Sequence, residues 1–237
     1  MLVIIEGFGR WIPNLISGIT MTLMVTIAGG VGALIVAIIL GMLSRSRSIW
    51  VRGVVRVFIE TARGIPLFVV LFWLFYALPL FGITIEPFTV AVLALALNNG
   101  AYGAEIIRGA INSVPKAQWD AIVALNLKPW DAYRRVIFPQ ASILMIAPMS
   151  NLFILLLKST PLVYTITLLD ITGFANEYRA TEGNTAFIYG LILILYFILS
   201  QTITVLLRWL EMSAARRVGL VQKPSLSRQM KPERVTS

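Results

Sequence analysis

An all-α integral membrane protein with five transmembrane helices is the fold this sequence predicts, on three observations. Of 237 residues 58% are hydrophobic and 13% charged, about half the charged share of an ordinary soluble domain. Five windows free of Asp, Glu, Lys and Arg fall at 11–44, 64–85, 87–104, 136–157 and 183–207, each at or near the roughly 20 residues that cross a hydrocarbon core. The 20 Lys and Arg, set against 11 Asp and Glu, gather in alternate connections.

The windows mark spans because a charge at the centre of a lipid-facing helix costs roughly 2.5 to 3.5 kcal/mol. Seventeen basic residues follow spans one, three and five, from Arg45, Arg108 and Arg208 onward. Only Arg10, Lys158 and Arg179 lie in the other set. The excess marks the cytoplasmic side, so the N-terminus is expected outside and the C-terminus inside. The sequence contains neither His nor Cys, which excludes disulfides, thiolate chemistry and Cys-ligated metal and leaves acid–base work to a few carboxylates. No catalytic residue and no metal site are assigned; a transport role is favoured over an enzyme.

Residues 1–13 mix Leu2, Ile4, Ile5, Phe8 and Trp11 with Glu6 and Arg10, which suits a short helix in the outer interface. They lack a basic start and a small-residue cleavage site, so the first span is expected to stay. Residues 14–215 are expected to form one transmembrane domain. The tail, 216–237, is basic and polar, expected to be disordered and to serve solvation or attraction to anionic lipid rather than nucleic-acid binding.

The stretch 105–135 is too long and polar for a turn yet has apolar residues at helical spacing. Pro115 precedes a helix through Leu125, with Gln118, Ala121, Ile122 and Leu125 on one face. Asn126 then tolerates the left-handed backbone that ends a helix. Pro129 opens a second helix, expected to run to Phe138 and stop before Pro139. Trp119 and Trp130 are available as anchors or contacts.

The run AQWDAIVALNLKPWDAYRRVIFPQA at 117–141 resembles the EAA loop of ABC-transporter permeases, in the form found in the polar amino-acid uptake family of histidine, glutamine and arginine permeases. RGIPL at 63–67, NNGAYGAEIIRGA at 98–110 and LKSTPL at 157–162 support the likeness, which covers about residues 18–218. The resemblance implies one membrane half of an importer. A second permease subunit, identical or related, completes the pathway, a cytoplasmic ABC ATPase dimer powers it, and an extracytoplasmic binding protein delivers a small polar or zwitterionic solute. It places the protein in the bacterial inner membrane. It also implies that the loop between spans three and four, 113–138, docks on the ATPase through Trp119, Asp120, Ala121, Ala124, Leu125, Asn126, Leu127, Pro129, Arg134 and Arg135. Asp120 stands for the usual Glu of that motif and Asn126 for its usual Gly; both keep the property required. The sequence has no GxxxxGK[ST] stretch, so this chain binds no cofactor by that route, and ATP with Mg belongs to the partner ATPase.

Asn98, Asn99, Lys158, Ser159 and Thr160 are the candidate substrate-pathway residues. Lys158 falls past mid-membrane in span four if that helix begins near Ile143; it either contacts substrate or snorkels to the outer interface. Pro161 frees the carbonyl of Leu157 beside the hydroxyls of Ser159 and Thr160, which favours a solute site. The two asparagines either line the pathway or bond across helices. Where relatives often carry an acidic residue, Ser159 stands, which disfavours a cationic amino acid and leaves Lys158 to suit a substrate carboxylate. An amino acid heads the candidates, with ectoine-like compatible solutes and opines beside it. Glu105 and Arg108 read as a local ion pair, Gly29, Gly30, Gly32 and Ala33 as close helix packing, and Arg63 as a contact to the loop or its partner. Two other classes remain, a self-contained channel or secondary carrier and a membrane scaffold recruiting a cytoplasmic partner.

Overall fold

The computed structural model describes residues 2–182 and 184–217, and of residues 2–11, 182, 211 and 213–217 the backbone alone. The helices are α1 (Leu2–Leu43), α2 (Ile49–Gly64), α3 (Leu67–Phe72), α4 (Pro87–Asn112), α5 (Lys116–Ala124), α6 (Pro129–Ala132), α7 (Phe138–Ser159), α8 (Ile171–Glu182) and α9 (Thr185–Arg217). No strand occurs among the described residues. Four helical stretches there are long and apolar enough to cross a membrane: Ile12–Leu43, Pro87–Asn112, Pro129–Ile166 and Thr185–Leu210. A fifth counts only if the bent pair Ile49–Gly64 and Leu67–Phe81 is one span.

That bent pair corrects the expected plain helix at 64–85. The pair turns by 99° at Ile65 and Pro66. The proline ring pushes Ile65 out of the helical region, to φ −89° and ψ 126°, and α2 ends there. Further along, Pro79 lacks the N–H that would continue a helix, and the chain passes through a π turn over Trp73–Ala77 and a 3-10 turn over Leu78–Phe81 around it. Gly82, at φ 80°, closes the segment in the left-handed region that glycine adopts freely.

Three other boundaries differ from expectation. The first helix runs unbroken from Leu2 through Pro13, so residues 2–13 are one helix with the first span instead of a separate one. The third continues past Ala104 to Asn112 and carries the Glu105–Arg108 ion pair within its last turns. The helix from Pro129 does not stop before Pro139. A π turn over Tyr133–Ile137 widens the backbone just ahead of that proline and leads straight into α7. Neither α2 nor α8 was expected as a helix. For α8 the signal was present: Asp170 is an N-cap whose Oδ1 accepts from the Gly173 amide at 2.8 Å. Most of the predicted tail, 218–237, lies outside the described residues.

The packing centre is the α1–α4 pair, with α7 laid against it. Small residues let the two backbones close: a Cβ added at Gly32 would come within 2.8 Å of the Ala96 Cβ, and one at Gly100 within 2.6 Å of the Val36 Cβ. Gly30 leaves room for the ring of Phe153 on α7. The glycines of span one are therefore packing residues, as predicted. Val25, Leu71, Ala94, Leu95, Leu156 and Ile166 fill one buried cluster, and Ala37, Ile107, Ile111, Val114, Ile137 and Ala141 a second, nearer the loop. Of the four spans α4 is the most enclosed and α9 the least.

Candidate functional site

The loop folds into a helix–turn–helix whose turn is built by Asn126. Its φ is 48°, a left-handed value that asparagine tolerates better than other residues with a side chain. The Leu127 amide reaches back to the Ile122 carbonyl at 3.1 Å and the Asn126 amide to that of Val123 at 3.0 Å, the double closure of a Schellman end. Lys128, before Pro129, is held extended, and α6 begins at the proline.

The fold divides the residues expected on one face of α5. Trp119 and Ile122 pack on the second cluster, whereas Ala121 and Leu125, expected beside Ile122, are exposed. Val123, Leu125 and Trp130 stand 78%, 70% and 68% exposed at the tip. Alternation around a nine-residue helix cannot tell which apolar side meets the body, since both sides carry apolar residues. Asp120, Ala124, Asn126, Pro129, Arg134 and Arg135 are exposed, and Leu127 is half-buried. Asp120 has no ion pair among the described residues; Arg135 reaches Asp131 at 3.3 Å.

Arg45 holds this hairpin to the spans. Its Nε donates to the Tyr133 hydroxyl at 3.1 Å, and its guanidinium lies 5.4 Å from the centre of the Trp119 ring. In the sequence, Arg45 stands out only as one of the basic residues that mark the cytoplasmic side. Arg63, expected to contact the loop or its partner, lies over the Tyr102 ring at 5.1 Å, while the Tyr102 hydroxyl donates to the Arg63 carbonyl.

The pathway candidates do not converge. Asn98 donates to the carbonyls of Ala62 at 3.0 Å and Ile65 at 3.4 Å, covering acceptors orphaned where α2 ends. Asn99 is buried, donates to the Leu95 carbonyl, and borders a small recess with Met149, Leu152 and Phe153 of α7. Lys158 is exposed at the end of α7, and Ser159 bonds back to the Leu155 carbonyl. Thr160 is fully buried, its hydroxyl on the Leu157 carbonyl at 2.8 Å. The break at Pro161 is as predicted, but Thr160 satisfies the carbonyl it was expected to free.

Beyond the end of span four, Asp170 is fully buried. The Gly173 amide donates to one carboxylate oxygen and the Tyr196 hydroxyl to the other, both at 2.8 Å. Burial outweighs these bonds and pushes the carboxyl up to about 6.

Residues 33–216 match the family described as "Binding-protein-dependent transport system inner membrane component". The chain belongs to this family of permeases. Among curated relatives, the permease is 36% identical over 203 residues to the glutamine transport system permease protein GlnP of Escherichia coli, covering 84% of this chain and 92% of the relative. It is 38% identical to the L-cystine transport system permease protein TcyB of Bacillus subtilis, at 81% and 85% coverage. A probable amino-acid ABC transporter permease of Sinorhizobium fredii is 41% identical over 73% of this chain and 76% of its own length. Among solved structures, an amino acid ABC transporter crystallised with histidines superposes with a TM-score of 0.82 at 32% identity, over 87% of this chain and 96% of that one. The permease is thus the membrane-spanning subunit of an ATP-driven importer, a multi-pass protein of the inner membrane. It transports and does not catalyse, and a partner ATPase hydrolyses the ATP.

Proposed function

We propose that residues 113–138 are the surface on which the cytoplasmic ATPase acts, and that the permease carries an amino acid or an amino-acid-like compatible solute inward. The observation that supports the first part is the hairpin tip. Val123, Leu125 and Trp130 face outward from a turn fixed by Asn126, which leaves an apolar knob on an ordered body. Asp120, exposed and without an ion pair among the described residues, is free to meet a cation of the ATPase. In this reading Trp119 anchors the hairpin from within, Ala121, Ala124, Leu125, Leu127 and Pro129 shape the docking face, and Arg134 and Arg135 flank it. Relatives named for glutamine and L-cystine support a zwitterionic amino acid as the solute.

The chain works in this proposal beside a second permease subunit, identical or related, with a binding protein outside, the N-terminus outside and the C-terminus in the cytoplasm. The distribution of basic residues supports that orientation. Lys158, exposed at the end of α7, and Asn99, which borders the recess between α4 and α7, are the pathway candidates this reading favours; Asn98, Asn99, Ser159 and Thr160 each bond a backbone carbonyl.

Uptake by the reconstituted importer tests the docking role. Replacing Asp120 with Ala is expected to depress uptake and the stimulation of ATP hydrolysis by the binding protein; unchanged values for both would remove the proposal. For the solute, Lys158→Gln is expected to raise KM for an amino acid, and an unaltered KM assigns Lys158 to the interface instead.

A further inference from the structure

Arg45 follows the end of α1, in a turn where its amide donates to the Met42 carbonyl at 3.1 Å. From there one side chain reaches three other segments. Nη1 donates to Oδ1 of Asn112, the last residue of α4. Nε donates to the hydroxyl of Tyr133, the first residue of the π turn leading into α7. The guanidinium lies over the Trp119 ring of α5, its carbon 5.4 Å from the ring centre, and Trp119 and Tyr133 themselves meet edge to face at 6.1 Å. A planar cation with donors spread over a fixed fork is suited to bridge an amide oxygen and a hydroxyl while lying over an indole, whereas an ammonium concentrates its donors on one atom.

We propose that Arg45 is the positioning residue of the hairpin: it sets the seat of α5 and passes displacement of α5 to the ends of α1 and α4. The inference rests on the docking role proposed above for residues 113–138. Helix α5 has nine residues, too few to hold its shape unaided, and its inward contacts are Trp119 and Ile122. The first of these two is the ring that Arg45 covers. Without the guanidinium, α5 keeps its apolar seat but loses the polar tie that fixes its tilt. A push on the tip then dissipates locally, while the glycine-mediated packing of α1 on α4 is untouched.

The test uses the full permease assembled with its ATPase and binding protein in lipid vesicles. It reads ATP hydrolysed per molecule taken up, with a radiolabelled mixture of the common amino acids as probe. Because the sequence contains no Cys, Val123→Cys gives a single thiol at the tip, and its crosslinking to the ATPase reports docking independently of transport. In Arg45→Ala the crosslink and the yield of complex are expected to persist. The ATP used per uptake should rise at least about fivefold, the lower end of coupling between distinct sites. Arg45→Lys, which keeps the charge over Trp119, should fall between, and Tyr133→Phe should show a smaller rise. An assembled Arg45→Ala complex with an unchanged ratio overturns the inference. If that variant does not assemble, Tyr133→Phe and Asn112→Ala decide: a raised ratio in either supports it, and an unchanged ratio in both overturns it. If the Val123→Cys chain, with Arg45 in place, never crosslinks to the ATPase, the docking reading falls, and this inference with it.

Discussion

The Tyr196 hydroxyl, on α9, donates to Oδ2 of Asp170 at 2.8 Å and so ties the last span to the start of α8. The same carboxylate caps α8 through Gly173, and the next amide, of Ile171, donates to the Thr22 hydroxyl on α1 at 3.3 Å. One short polar knot thereby joins three helices.

That knot makes stability pH-dependent. The folded chain holds the Asp170 proton up to about 6, against an ordinary value of 3.8. Between those values the folded state binds a proton that the unfolded chain releases, so the contribution is full at the acid end and is lost as pH rises through 6. The gap corresponds to about 3 kcal/mol at most. Melting temperatures of the purified permease should rise on going from about pH 7.5 to about pH 5, and Asp170→Asn should flatten that rise. Equal slopes for the two proteins would contradict it.

Asn98 acts on the break after α2. Removing its amide in Asn98→Ala leaves the Ala62 and Ile65 carbonyls without that donor, at a cost of about 1 to 3 kcal/mol. The expected result is a lower melting temperature together with faster proteolysis near Arg63. A variant of unchanged stability but impaired uptake would instead make Asn98 a pathway residue.

Asn126 is required for its backbone. Asn126→Gly should keep both the melting temperature and the transport stoichiometry, because glycine adopts φ 48° without strain. Asn126→Val should cost more than about 1 kcal/mol and disorder the hairpin tip, which hydrogen exchange of the 122–127 amides would show. Valine tolerated as well as glycine would refute the role.

Close approach of α1 and α4 sets a steric limit. Gly100→Val places its Cβ within 2.6 Å of that of Val36, and the backbones must part to admit it. We expect little folded permease to accumulate, read by size-exclusion of a fluorescent fusion. Adding Val36→Gly, which clears the space, should restore part of it.

Much of the hairpin was legible in advance. Asn126, Pro115 and Pro129 are residues whose own backbone preferences decide where a short helix can start or end, so the turn and both starts followed from them. The hydrophobic windows marked the spans for a similar reason, since exclusion of charge from hydrocarbon is a local property of each segment. Pro139 misled because a π turn ahead of a proline removes the clash that would otherwise end the helix. Such a turn depends on the packing on both sides.

Composition and order of residues by themselves determined that this chain is an all-helical membrane protein, where its apolar segments lie, and which family it resembles. Tertiary structure alone decided which side of α5 faces the body, that Asn98 and Thr160 serve backbone carbonyls, and that Arg45 meets Trp119 and Tyr133, the latter 88 positions away. The physical reason is the range of the interactions. Solvation and backbone preference act within a few residues and are written locally, whereas a hydrogen bond or ring contact exists only where folding brings distant side chains within a few ångströms.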